Sequence, residues 1–213
     1  MKAKITEKEY ILRKIREASY KSYDGVKSNI DYDSKVFAHS DDNPLVIFAE
    51  NLINIGGNFV YCQDEHDFAI KLAALLDEKE WLNPVCHSQE LAALLAEKNI
   101  VFRVENPLPI DSKVGISSCE YLVSRLGSIV VSSWSNPGRQ IHAYPEIHIV
   151  VAKASQVVLD IGDAIKKIRK KYSVDFPSEI TLITGPSRTA DIEKTLVMGA
   201  HGPKELIVFV IAD

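Results

Sequence analysis

Two short stretches near the C-terminus concentrate residue types that hold and transform small anions. They are Thr184-Gly185-Pro186-Ser187-Arg188-Thr189-Ala190-Asp191-Ile192-Glu193 and Gly199-Ala200-His201-Gly202-Pro203. An apolar run, Ile180 to Ile183, precedes them and another, Leu206 to Ile211, follows; both read as buried strands. A strand that stops at a Gly-Pro-Ser turn and opens into a helix gathers free backbone N–H groups at one point. That geometry suits a phosphate or a carboxylate. Gly185 permits the turn, Pro186 ends the strand, and Ser187 or Thr189 caps the helix. Arg188 supplies a bidentate donor for an anion. Gly185, Ser187, Arg188 and Thr189 are therefore the candidate binding residues. His201, with a reference pKa of ~6.5, and Glu193 are the candidates for proton transfer.

The same residues admit a structural reading. Asp191 and Glu193 would fall in the first turn of the expected helix and satisfy its dipole. Arg188 and Asp191 stand three apart and could pair with each other. His201 could cap the helix that precedes it, with Gly199 or Gly202 making a left-handed turn.

A second polar segment, Ser132-Ser133-Trp134-Ser135-Asn136-Pro137-Gly138-Arg139, follows an apolar strand. Strand ends of open parallel sheets are where ligands bind. Ser132, Ser133 and Arg139 could line such a crevice, with Trp134 as its apolar wall; otherwise the segment is a solvated loop anchored by one aromatic. His142 and His148 lack the spacing of a helical metal pair. His148 alternates with Ile147 and Ile149 and reads as a hydrogen-bonded structural histidine. Gly56-Gly57 is not a dinucleotide fingerprint and reads as a helix end. There is no nucleophile elbow and no phosphate-binding Walker loop.

The elements that must position these groups follow a regular rhythm from Leu45 onward. Helices are expected at 45–55, 64–77, 88–98 and 114–126, and within 155–172. Strands are expected at 58–62, 84–86, 100–104, 127–132, 147–152, 180–183 and 206–211, with a further helix between the last two. Alternating strands and helices imply a mostly parallel sheet covered on both faces. Residues 1–43 read as an N-terminal helix, Glu7 to Ala18, and an irregular polar connection; residues 44–213 read as the main domain. A chain of 213 residues with 46% hydrophobic content can build a sizeable core. The balance of 29 acidic to 25 basic residues, net −4, argues against general nucleic-acid binding. No run approaches the roughly 20 apolar residues that span a bilayer, and the charged N-terminus has no signal core, so a cytoplasmic location is expected. Cys62, Cys86 and Cys119 are far apart, with no cluster-type or zinc-type spacing.

The C-terminal stretch with His201-Gly202-Pro203 resembles the signature of the LUD domain, the family of lactate utilization protein C. Tyr144-Pro145-Glu146-Ile147-His148-Ile149-Val150-Val151, Val114-Gly115-Ile116 and Gly127-Ser128 extend the resemblance over most of the chain. The resemblance implies a three-layer α/β/α fold similar to ribose-5-phosphate isomerase and the CoA-transferases. It also implies a part in oxidising L-lactate to pyruvate beside partner proteins that carry iron–sulfur clusters, with no cofactor in this chain. One departure stands out. Where the family commonly shows Ala-Glu-Thr-Gly-Thr, this chain has Ser124-Arg125-Leu126-Gly127-Ser128. A carboxylate has become a cation, so an activity that needs that glutamate would be altered or lost. The expected function is a lactate-utilization subunit that binds a small carboxylate or phosphate-bearing ligand. The alternatives are a self-standing isomerase or acyl/CoA transferase and a non-catalytic scaffold; a homo-oligomer fits any of them.

Overall fold

A computed structural model describes residues 7–20, 42–105, 108–109, 112–136, 140–192, 195–199 and 201–213. The chain divides into two units, Met1–Ser40 and Asp41–Asp213. In the first, helix α1 (Glu7–Tyr20) carries an Arg13–Glu17 ion pair one turn apart, 3.3 Å.

The second unit is built on a five-stranded, wholly parallel sheet in the order β1-β11-β6-β3-β2. Its strands are β1 (Asn58–Cys62), β11 (Glu205–Ile211), β6 (Ile147–Lys153), β3 (Val114–Ser118) and β2 (Val85–Cys86). A second sheet, β7-β4-β5-β8, is formed by β7 (Val157–Val158), β4 (Tyr121–Val123), β5 (Ser128–Ser132) and β8 (Ile180–Ile183). Helices α3 (Glu65–Glu78) and α4 (Gln89–Glu97) cover one face of the parallel sheet. Helix α2 (Pro44–Asn54) and the second sheet cover the other, and α5 (Ile161–Lys171) lies on the second sheet.

Period-two alternation explains the layering. On β6 and β11, Ile147, Ile149, Val151, Ile207, Phe209 and Ile211 meet Phe68, Leu72, Leu91 and Leu95 of α3 and α4. Val150, Ala152, Leu206, Val208 and Val210 point the other way, onto Phe48, Leu52, Ile129 and Val131. Phe68 and Phe209 pack edge to face at 5.6 Å, a geometry worth about 0.5–1.5 kcal/mol beyond the area it buries. The helices start at sequence-encoded caps: Asn43, Asp64 and Ser88 each accept a backbone N–H of the first turn.

Three expectations are corrected. Residues 114–126 form two strands, β3 and β4, and a single 3-10 turn at Ser124–Leu126, not a helix. Residues 100–104 contribute one isolated bridge, Val85 to Arg103, rather than a strand. The segment after Gly185 does not open into a helix: β9 (Arg188–Ile192) and β10 (Thr195–Met198) pair antiparallel as a hairpin. Its β-branched residues Thr189, Ile192, Thr195 and Val197 suit that choice. Without the helix there is no dipole for Asp191 to satisfy, no helix for Ser187 or Thr189 to cap, and none for His201 to terminate.

Candidate functional site

The signature loop sits at the edge of the parallel sheet where β1, β6 and β11 begin. Gly185 adopts φ +75°, and a Cβ there would lie 2.8 Å from the Ile55 carbonyl oxygen, so glycine is required by both conformation and space. Arg188 donates from Nη2 to that same carbonyl at 2.5 Å and so ties the loop to the end of α2. Ser187 joins three strand connections. Its N–H donates to Pro203 O at 2.8 Å, its carbonyl accepts from Gly199 N at 2.9 Å, and its Oγ accepts from His201 N at 3.4 Å. His201 is exposed. Glu193 and Arg139 lie outside the described residues, as does the side chain of Thr189.

Ser132 is elsewhere. It ends β5, which pairs antiparallel with β8, so Ser132 faces Ile180 while Ile129 faces Ile183, next to the signature loop. The structure therefore does not bring Ser132 together with Gly185, Ser187 and Arg188. Seven-residue β11 alone spans about 20 Å at ~3.3 Å per residue, which sets the scale of the separation between the two sheet edges.

At the opposite edge, where β3, β6 and β11 end, lies a cavity of ≈ 740 Å³. Its floor is Ser118, Cys119, Val151–Lys153 and Ile211. One wall comes from the start of α4, with His87 to Leu91, together with Glu65, Leu94 and Glu97. The other comes from Trp134, Ser135, Gln156, Lys171 and Tyr172. The carboxyl ends of parallel strands are the usual place for a ligand in open α/β sheets.

Glu120 organises the second wall. It stands two residues past the end of β3, is 2% exposed, and its carboxylate accepts from Ser132 Oγ (2.5 Å), Tyr172 Oη (2.9 Å) and Lys171 Nζ (2.9 Å). A buried carboxylate must be paired and hydrogen-bonded in this way to be tolerated. The consequence is a fixed lysine at the cavity. Burial by itself would push Lys171 down, but its bonds to Tyr172 and Glu120 outweigh that and raise its pKa, so it is cationic throughout the neutral range. The Tyr172 hydroxyl is raised chiefly by burial. Tyr172 in turn stacks on Trp134, with ring centroids 6.4 Å apart and planes 15° apart.

The turn after β5 is equally well held. Ser132 Oγ accepts from the N–H groups of Trp134 (3.2 Å) and Ser135 (3.1 Å). Asn136 donates from Nδ2 to Ser118 O at 2.8 Å, and Ser118 donates from Oγ to Ser135 O at 3.0 Å. Trp134 and Ser135 are thus presented to the cavity by bonds to the end of β3. Ser133 is turned away toward Ser178, 3.3 Å between hydroxyls.

Sequence reasoning located the segment from Ser132 to Ser135 but missed Glu120, Lys171, Tyr172 and Gln156. A charge inside an apolar run, Glu120 in Ser118-Cys119-Glu120-Tyr121-Leu122-Val123, was the available signal. Arg125, in the segment where a departure from the family pattern was expected, pairs bidentately with Asp160, 2.5 and 2.9 Å, at the start of α5. The thiols of Cys62, Cys86 and Cys119 are buried and their pKa values are raised by burial, so all three rest as thiols. Among the described residues no group of three or more His, Cys, Asp and Glu side chains is placed to hold a metal ion, and no helix is long and apolar enough to cross a membrane.

Residues 45–211 match the LUD domain. A lactate utilization protein C from Geobacillus thermodenitrificans (strain NG80-2) is 33% identical over 161 residues, which cover 74% of this chain and 64% of that protein. Another of that name, from Bacillus licheniformis, is 30% identical over 160 residues, with the same coverage of 74% and 64%. The protein YkgG of Escherichia coli (strain K12) is 33% identical over 104 residues, 48% of this chain and 45% of that one. The chain thus spans less than two thirds of these relatives' own lengths. The crystal structure of a DUF162 family protein from Deinococcus radiodurans superposes with a TM-score of 0.59 at 19% identity, covering 82% of this chain and 99% of that one. That likeness is one of fold.

Proposed function

Because the chain belongs to the LUD-domain family, we propose that it serves lactate utilization as one subunit of a multi-protein system in the cytoplasm. In this reading it binds a small carboxylate or phosphate-bearing ligand, and iron–sulfur clusters reside in its partners. The relatives named lactate utilization protein C support the process. The observation that carries the binding site is the strand-end cavity with Lys171 fixed in its wall by Glu120. A carboxylate entering there meets a charge-assisted donor whose position is already set, so little ordering entropy is lost on binding.

The test is calorimetric titration of the purified protein with L-lactate, pyruvate and inorganic phosphate. Lys171→Ala is expected to weaken the bound anion about 10- to 100-fold, the effect of losing a charged hydrogen bond of about 1.5–3 kcal/mol. Lys171→Arg should recover part of it. Equal affinity in Lys171→Ala would remove the cavity from the proposal.

A second reading puts the anion on the loop from Gly185 to Arg188, as the residue types alone suggest. The exposed position of Arg188 favours it. Arg188→Ala separates the two: on the cavity reading it leaves ligand affinity unchanged and lowers stability by about 1 kcal/mol through the lost tether to Ile55, whereas on the loop reading affinity falls.

A further inference from the structure

The cavity is far larger than a three-carbon acid requires, and its two walls differ in chemistry. A volume of ≈ 740 Å³ lies in the range of sites that enclose molecules of drug or cofactor size, about 300–1,000 Å³. One wall offers Lys171, and Lys153 lies at the floor. The wall with Lys171 also holds the indole of Trp134, half-exposed and backed by the near-parallel ring of Tyr172. The opposite wall is acidic, with Glu65, Glu90 and Glu97. That wall repels an anion but accepts hydrogen bonds from hydroxyl or amino groups.

We propose that this cavity, taken as the ligand site argued above, is built for a nucleotide, with the phosphate at Lys171, the base on Trp134 and the sugar hydroxyls toward the acidic wall. Each part of such a ligand meets a matching surface. The flat base finds a π-face held in place by Tyr172 and by the backbone bonds of the turn after β5. The phosphate finds a lysine positioned before binding. Ribose hydroxyls, as donors, find carboxylate acceptors. A three-carbon acid could engage a lysine but would leave the aromatic and acidic surfaces to water.

The protein's two tryptophans make the test direct. Trp81 is 6% exposed within the core under α3 and α4, so a ligand-dependent change in emission reports Trp134. The full chain is titrated with AMP, adenosine, inorganic phosphate and pyruvate, following fluorescence and calorimetry together. AMP should quench Trp134 and bind at least tenfold more tightly than either adenosine or phosphate. Trp134→Ala, at a half-exposed position, should weaken AMP about tenfold and pyruvate by much less, while Trp134→Phe retains most of the affinity. If pyruvate binds in a Lys171-dependent way while AMP does not bind, or binds Trp134→Ala as well as the wild type, the nucleotide proposal is overturned and the anion site stands. If no probe binds in a Lys171-dependent way, both are overturned.

Discussion

Gly127→Ala is expected to destabilise the protein by about 2–5 kcal/mol. Gly127 terminates the turn Ser124–Leu126 with φ 61° and ψ 29°, the left-handed region, where a Cβ costs about 1–2 kcal/mol. The second contribution is steric. A Cβ would lie 2.4 Å from Leu52 N and 2.5 Å from Asn51 C, both backbone atoms of α2. A helix backbone cannot swing aside as a side chain can, so the overlap must be relieved by moving α2 or the turn, at about 1–3 kcal/mol. Asn51 resists that movement, since its Nδ2 donates to Ser124 O (2.9 Å) and lies 3.2 Å from Arg125 O. Urea denaturation of wild type and variant gives the difference directly. A change below about 0.5 kcal/mol would show that the turn and α2 are not packed as described.

The need for glycine at this point was legible in part. Gly127 was visible as the boundary of a strand, but the segment before it was expected to be a helix. Val114, Ile116, Cys119, Leu122, Val123 and Leu126 satisfy a helical spacing well enough to mislead, because β3 is buried on both faces and loses the alternation that marks a strand. The chain reverses at Cys119-Glu120 without Gly or Pro, so no local residue announces the turn. The hairpin after Gly185 was missed for a related reason. A Gly-Pro-Ser turn followed by acidic residues reads as a helix start, and only the pairing of β9 with β10 selects strands instead.

The parallel sheet was easier to read than the site. Apolar runs such as Ile147 to Ala152 and Leu206 to Ile211 carry their own burial, so the α/β fold followed from local sequence. The cavity does not. Glu120 and Lys171 are 51 positions apart, and Ser118 meets Asn136 across 18. Nothing in either partner's neighbourhood specifies the other; the second sheet brings them together. The residues that looked most chemical, Arg188 and Ser187, are joined to Ile55, Pro203 and Gly199, while the cavity wall was assembled from a lysine in a basic run and a glutamate in an apolar one.

His148 should make the protein acid-sensitive in a way one substitution can reduce. It is fully buried on β6, and Nε2 meets Ser117 Oγ at 2.7 Å while Nδ1 has no hydrogen-bond partner among the described residues. Burial, aided by repulsion from nearby His142, lowers its pKa from 6.5 to about 3. The unfolded chain takes up a proton at His148 as pH falls through ~6.5, whereas the folded protein does not until about pH 3. Between those values the unfolded state binds more protons, so stability falls with falling pH, at about 1.4 kcal/mol per pH unit. From pH 6.5 to 4.5 the loss attributable to this residue is about 2–3 kcal/mol. His148→Gln keeps an amide that can bond to Ser117 but cannot titrate. It should cost about 1–2 kcal/mol at pH 7 and then lose stability less steeply on acidification. His142, whose pKa is also lowered by burial, remains in the variant and leaves a residual slope of the same sign. Chemical denaturation at half-unit intervals from pH 7.5 to about pH 4.5 gives both curves. Parallel curves would mean that His148 becomes protonated in the folded state, and that the interior between the parallel sheet and the second sheet is open to water.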